Sequence, residues 1–168
     1  MKKLFLLLAL VAITSTATFA QIGKGEKSVV ANAGFQSDPM RFLIGAQGRY
    51  NIIDNVRIAP EVSFIFPKDK VMGLDINLNA HYVFDLSSSA EGLSLYPLAG
   101  FAMQNYRIAK RTFYGVEIPS SSGTNFGFNL GAGGSYDLSS TNYLNAEMKY
   151  TFSDGDCFTF TVGYGFKF

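Results

Sequence analysis

The sequence predicts an all-β fold, an eight-stranded antiparallel up-and-down transmembrane β-barrel. Three observations predict it. Eight segments alternate apolar and polar residues with a period of two, and no helical period competes with them. The charges within those segments fall on one face only. That face is otherwise built from Gly, Asn, Ser and Thr, residues small enough for the filled interior of a narrow barrel.

The barrel is expected to occupy residues 21–168, behind a secretory signal peptide at 1–20. Lys2 and Lys3 form a short basic start, Leu4 to Ile13 an apolar stretch, and Thr18, Phe19 and Ala20 a small-residue cleavage site before Gln21. The apolar stretch is too short to cross a bilayer as a helix, which takes roughly 20 residues. The small-residue site also argues against a retained anchor. The formal net charge is +1, and Lys2 and Lys3 account for part of it, so the exported chain is close to neutral. A nucleic-acid partner is not expected, because such proteins carry a strongly basic patch. Cys157 is the single cysteine, which excludes an intramolecular disulfide. No cysteine lies near the cleavage site, so lipoprotein processing is not expected either.

The eight segments follow in order. The first, near 28–36, sets Val29, Ala31, Ala33 and Phe35 on one face and ends at Asp38 and Pro39. The second, 41–52, sets Phe42, Ile44, Ala46, Tyr50 and Ile52 against Gly45, Gln47, Arg49 and Asn51; Asp54 and Asn55 turn the chain. The third, 56–66, sets Ile58, Val62, Phe64 and Phe66 against Arg57, Glu61 and Ser63. The fourth has the clearest internal alternation, Leu74, Ile76, Leu78, Ala80, Tyr82 and Phe84 against Asp75, Asn77, Asn79, His81 and Val83. The fifth, 93–107, is ambiguous in register, and the preferred outer face is Leu95, Pro97, Ala99, Phe101 and Met103. Pro97 has no amide donor, so a bulge or strand end is expected near it.

A polar stretch, 108–124, then forms the longest connection and the best candidate for a functional surface loop. The sixth segment, 126–138, sets Phe126, Phe128, Leu130, Ala132 and Tyr136 against Gly127, Asn129, Gly131, Gly133 and Ser135. The seventh, 143–152, sets Leu144, Ala146, Met148, Tyr150 and Phe152 against Asn145, Glu147, Lys149 and Thr151. The last, 158–168, sets Phe158, Phe160, Val162, Tyr164, Phe166 and Phe168 against Thr159, Thr161, Gly163, Gly165 and Lys167.

A soluble lipocalin-like barrel alternates too, with its apolar face inside. Here the polar face is poor in the Lys and Glu that solvate an exterior, and aromatics gather near strand ends as in interfacial girdles. An Arg or Lys turned to lipid near the midplane would cost about 2–4 kcal/mol. The charges therefore face inward, and Arg49, Arg57, Glu61, Asp75, Glu147, Lys149 and Lys167 are expected to form a lumenal salt-bridge network. Closure satisfies every backbone group, each of which costs several kcal/mol if left unpaired in hydrocarbon.

The chain resembles the small outer-membrane β-barrel family of OmpA/OmpX-like and porin-family proteins. The resemblance spans nearly all of residues 21–168. Its most specific motif is the closing run Phe160, Val162, Tyr164, Phe166 and Phe168, similar to the signal read by the outer-membrane assembly machinery. The resemblance implies residence in the outer membrane of a Gram-negative bacterium and contact with that membrane's lipid and lipopolysaccharide. A monomer with no cofactor is expected.

Other chemistry is weakly marked. Gly131 to Gly134 lacks the Lys and Ser/Thr of a phosphate loop. Asp154, Gly155 and Asp156 read as a hairpin turn, because the calcium-loop spacing is absent. His81 is the sole histidine, and no Ser lies near it on the same strand face, so neither catalysis nor a metal site is expected. Arg107, Lys110 and Arg111 make the long connection basic at its base, a candidate contact for lipopolysaccharide phosphates. The leading expectation is a structural and surface-interaction barrel. A small channel, a lipid-modifying enzyme and a soluble periplasmic binding barrel are the alternatives.

Overall fold

The computed structural model describes residues 23–68, 71–87, 90–113 and 116–168. The signal peptide expected at residues 1–20 lies outside the described residues. Eight long strands carry the architecture: β1 Lys27–Gln36, β2 Arg41–Ile53, β3 Val56–Lys68, β4 Val71–Tyr82, β5 Leu93–Ile108, β6 Ser121–Asp137, β7 Asn142–Phe152 and β8 Cys157–Lys167. Each pairs antiparallel with its neighbours in the chain. The ring closes where β1 meets β8, from Ser28 opposite Lys167 to Gln36 opposite Thr159. The fold is therefore the closed all-β barrel that the alternation predicts, with no sheet edge left in the hydrocarbon.

Closure places both barrel termini at one end, called here the terminal end; the other is the loop end. The β2–β3 turn at the terminal end is tight. Asn55 holds it with φ 64, a left-handed conformation that Asn tolerates better than most residues. Lys24 donates its backbone N–H to Asp54 Oδ1 at 2.9 Å and ties the entering chain to this turn.

Outside the barrel, Phe42, Ile44, Val62, Leu74, Ile76, Leu78, Leu130, Leu144, Met148 and Val162 are exposed. They form a continuous apolar surface that only lipid can cover. Aromatic rings bracket it. Tyr50, Tyr82, Tyr136, Tyr164 and Phe166 lie toward the terminal end, and Phe42, Phe64, Phe66, Phe126 and Phe152 toward the loop end. Apolar packing inside is slight, a small cluster of Val83, Tyr96 and Leu98.

Two expectations are corrected. The connection taken as 108–124 is shorter. β5 and β6 pair as far as Ile108 opposite Ser121, and residues between them form a small hairpin of strands Arg111–Phe113 and Val116–Ile118. Beyond the bilayer a strand needs no lipid-facing side, so Ser121 to Thr124 extend β6 without alternating. Nor does β5 bulge or end at Pro97, which pairs regularly with Ala132 of β6. The interruption falls across the barrel wall instead. β4 pairs with β5 up to His81 opposite Leu98, and the two-residue strand Phe84–Asp85 resumes the same register at Leu95. The missing donor of Pro97 coincides with that gap.

Candidate functional site: the lumenal network

Period-two alternation turns every second residue of each strand into the lumen, whose middle section is buried from water. A charge there must find a partner, because leaving it unpaired costs several kcal/mol. The partners come from strands far apart in sequence.

At mid-height, Lys149 of β7 reaches across to Glu61 of β3 in a close ion pair, and its Nζ also lies 3.7 Å from Glu147 Oε1. Ser63 Oγ donates to Glu61 Oε1 at 3.1 Å, and Asn32 Nδ2 approaches the same oxygen at 3.5 Å. Glu147 in turn lies 3.7 Å from Arg49 Nη2 and accepts from Gln47 Nε2 at 3.3 Å. Arg49 spreads its donors over four acceptors. Nε donates to Gln47 Oε1 at 2.6 Å, Nη2 to Tyr96 OH and Asn145 Oδ1 at 2.9 Å each, and Nη1 to Ser135 Oγ at 3.4 Å. Six strands, β1, β2, β3, β5, β6 and β7, are thus knitted through the axis.

Nearer the loop end, amides carry most of the network. Asn129 Nδ2 donates to Asn77 Oδ1 at 3.0 Å and Asn79 Oδ1 at 2.9 Å, and accepts from Thr151 Oγ1 at 2.7 Å. Asp75 accepts from Gln36 Nε2 at 2.8 Å, and Gln36 accepts from Arg41 Nη2 at 3.1 Å. Toward the terminal end, aromatic rings replace amides. His81 stacks on Tyr96 with centroids 4.5 Å apart, and the Arg57 guanidinium lies 4.5 Å from the centroid of the same ring. Room for these rings comes from glycine. A Cβ at Gly133 would sit 2.5 Å from Tyr96 Cζ, and one at Gly165 would collide with the ring of Tyr143.

The seven charges expected in the lumen all point inward, but only some meet. Arg49, Glu61, Glu147 and Lys149 share one cluster. Lys167 pairs instead with Asp137 at 2.7 Å, a residue the sequence did not single out. Asp75 takes an amide partner. Arg57 donates from Nε to His81 Nδ1 at 3.0 Å and pairs with no carboxylate among the described residues. Tyr96, Gln47 and Asn145 are the connectors missed from sequence. The outer face chosen for the fifth segment already turned Tyr96 inward, which was the available signal.

His81 is only 1 % exposed, with Nδ1 committed to the Arg57 guanidinium. That bond fixes the ring as neutral with its proton on Nε2, and no Ser or Thr hydroxyl bonds to it among the described residues. Cys157 is a free thiol, buried on the lumenal side and 3.2 Å from Gln104 Nε2. Asp156 Oδ1 accepts the Ser153 amide at 2.7 Å, closing the β7–β8 connection as a turn. Among the described residues no group of three or more His, Cys, Asp and Glu is arranged to hold a metal ion. Arg107 and Lys110 are exposed near the loop end, and Arg111 begins the small hairpin. Of the closing run, Val162, Tyr164, Phe166 and Phe168 face outward, and Phe160 packs 5.6 Å from Phe35.

Polar lumen, apolar belt and closed ring together invert a soluble barrel. The sequence profile of the outer membrane protein beta-barrel domain matches residues 5–168. The chain belongs to that family. It is a small transmembrane barrel of the bacterial outer membrane with a polar, charged network buried inside. The fold is shared with solved structures of low sequence identity. The N-terminal β-barrel domain of OprF from Pseudomonas aeruginosa superposes with a TM-score of 0.70 at 22 % identity, covering 88 % of this chain and 100 % of that one. Ail, the attachment invasion locus protein of Yersinia pestis, gives 0.59 at 19 % identity over 86 % and 99 %. Neisserial surface protein A gives 0.59 at 17 % identity over 85 % and 96 %. No curated protein matches the chain.

Proposed function

We propose that this outer-membrane barrel serves a structural and surface-interaction role, neither conducting solutes nor catalysing a reaction. The observation that carries this reading is the cross-lumen cluster of Arg49, Gln47, Tyr96, Asn145, Glu147, Lys149 and Glu61, whose side chains are buried and mutually bonded. It stands between a cavity of about 210 Å³ at the terminal end and one of about 220 Å³ at the loop end. An eight-stranded barrel leaves an interior just wide enough for side chains, and opening this one would strand buried charges. His81, engaged by Arg57, is poorly placed to act as a general base.

The longest connection, between β5 and β6, lies at the loop end, and barrels of this kind put their longer loops outside, so the loop end is read as facing outward and the terminal end as facing the periplasm. Arg107 lines an external groove with Phe64, Met72 and Leu74 below it and Ser122 and Thr124 beside it. A cation above an apolar groove suits lipopolysaccharide, whose phosphates would meet Arg107, Lys110 and Arg111 while its chains cover the belt. The outward run Phe160, Val162, Tyr164, Phe166 and Phe168 is the segment the assembly machinery would read, and the protein works as a monomer.

The test is single-channel recording of the folded, signal-free protein in planar bilayers. The expected trace is flat, with at most brief, small events. Steady openings of porin size would overturn the closed-lumen reading and favour the channel.

A further inference from the structure

We infer that the terminal-end cavity of the lumen is a binding site for a small oxyanion, a phosphate or carboxylate group, with the Arg57 guanidinium at its base. Arg49, Lys149 and Lys167 each have a carboxylate within 4 Å in the lumen. Arg57 is buried like Arg49 and Lys149, 8 % exposed, and has none among the described residues. Its one hydrogen-bond partner is a neutral imidazole, His81 Nδ1 at 3.0 Å, and its Nη2 has no partner. Receiving that bond leaves His81 Nε2 as a donor, and Nε2 is buried without a partner as well. Both unsatisfied atoms are donors; Arg57 is the one of the pair that lines the terminal-end cavity, so what complements it there is an acceptor.

The cavity that Arg57 lines is about 210 Å³. That is below the roughly 300–1,000 Å³ of pockets for drug-sized ligands, and it suits a small group with a few waters. The acids lining it are already engaged and stand toward its mouth. Asp137 is paired with Lys167 at 2.7 Å, Glu26 accepts from Asn51 Nδ2 at 3.3 Å, and Asp85 Oδ1 accepts from the Ser87 amide at 2.8 Å. Glu26 is exposed and Asp85 half-buried, so water and salt screen them. Among the described residues that line the buried floor, Asn51, Ser135, Tyr143 and Arg57, the charge is that of Arg57; Arg49 lies behind them, bonded to Ser135 Oγ at 3.4 Å and paired with Glu147. The planar fork of an arginine matches phosphate and carboxylate oxygens in pairs. Lys27, also lining the cavity, adds a cation at the mouth.

The experiment is an NMR titration of the signal-free barrel in uncharged detergent, following the arginine Nε–Hε resonances. Sodium phosphate and sodium acetate are the probes, with sodium chloride at equal ionic strength as the control. The expected result is a saturable movement of the Arg57 resonance with an unmoved Arg49 resonance, and about ten-fold weaker phosphate binding in Arg57→Lys, read in that variant and its parent from the side-chain amide of Asn51, which lines the same cavity. A movement that is linear, shared by Arg49 or reproduced by chloride overturns the site. Asp85→Asn guards against an internal counter-ion. The site predicts tighter phosphate binding in that variant, whereas an Arg57 resonance that moves on this substitution but not on adding phosphate overturns it. Both readouts use proteins with the Arg57–His81 pair intact, so the outcome does not depend on whether Arg57→Lys folds. Nanodiscs of phosphatidylglycerol and of phosphatidylcholine separate the sources. A resonance already at its end point only with phosphatidylglycerol assigns the oxyanion to a lipid headgroup, and equal titrations in both assign it to a soluble anion.

Discussion

Along β7, Leu144, Ala146, Met148 and Tyr150 face lipid while Tyr143, Asn145, Glu147 and Lys149 face the lumen. The two sides of this one strand are held by different physics. The outer side chains meet fluid hydrocarbon, which rewards apolar surface without asking for a particular shape. The inner ones each meet a particular partner on another strand, Tyr143 OH lying 2.7 Å from Ser28 Oγ of β1. Chemical class is enough on the outside; on the inside, identity and register both matter. The lipid face should therefore forgive conservative change and punish charge, and the lumen should punish even small changes.

The largest effect is expected from Lys149→Ala. It leaves Glu61 and Glu147 facing each other across the axis without their shared cation. Breaking a buried pair on one side costs about 3–5 kcal/mol, to be read from urea unfolding of the barrel in lipid vesicles. Next comes Leu78→Arg, which puts a cation on the lipid side of β4 at a position 53 % exposed to the bilayer. The expected loss is about 2–4 kcal/mol by the same assay. A cost near zero would break the assignment of faces. Gly133→Ala should come third. The added methyl pushes on Tyr96, and overpacking of this kind costs about 1–3 kcal/mol. A change in near-ultraviolet circular dichroism should accompany it, because the stack of Tyr96 on His81 must shift. Smallest is Met148→Leu on the outer side of β7, expected within about 0.5 kcal/mol of the parent. A larger loss there would mean that the outer side is also specified by packing.

This contrast also explains what could be read from the sequence. Alternation alone assigns Glu61, Asp75, Glu147 and Lys149 to one side, because a period of two is a property of each strand by itself. The partners are not. Arg49 meets Glu147 across 98 positions of chain only because closure of β1 on β8 brings β2 opposite β7. That distance depends on the stagger of every ladder between them. Hence Asp137, placed by sequence at the end of a strand, turns out to pair with Lys167, while Arg57 stays without a carboxylate among the described residues. The extension of β6 back to Ser121 was illegible for a different reason. Ser, Gly and Thr outside the bilayer carry no apolar face, so nothing in the pattern distinguishes a paired strand from a loop.

The central claim, that the lumen is bonded shut by specific pairs, is tested most directly by a double-mutant cycle on Lys149 and Glu61. Stability in vesicles would be measured for Lys149→Met, Glu61→Gln and the combination. The account predicts that the double variant is more stable than the sum of the single losses allows, with a coupling in the range of about 0.5–3 kcal/mol found for residues in contact. Strict additivity of the two losses would contradict it.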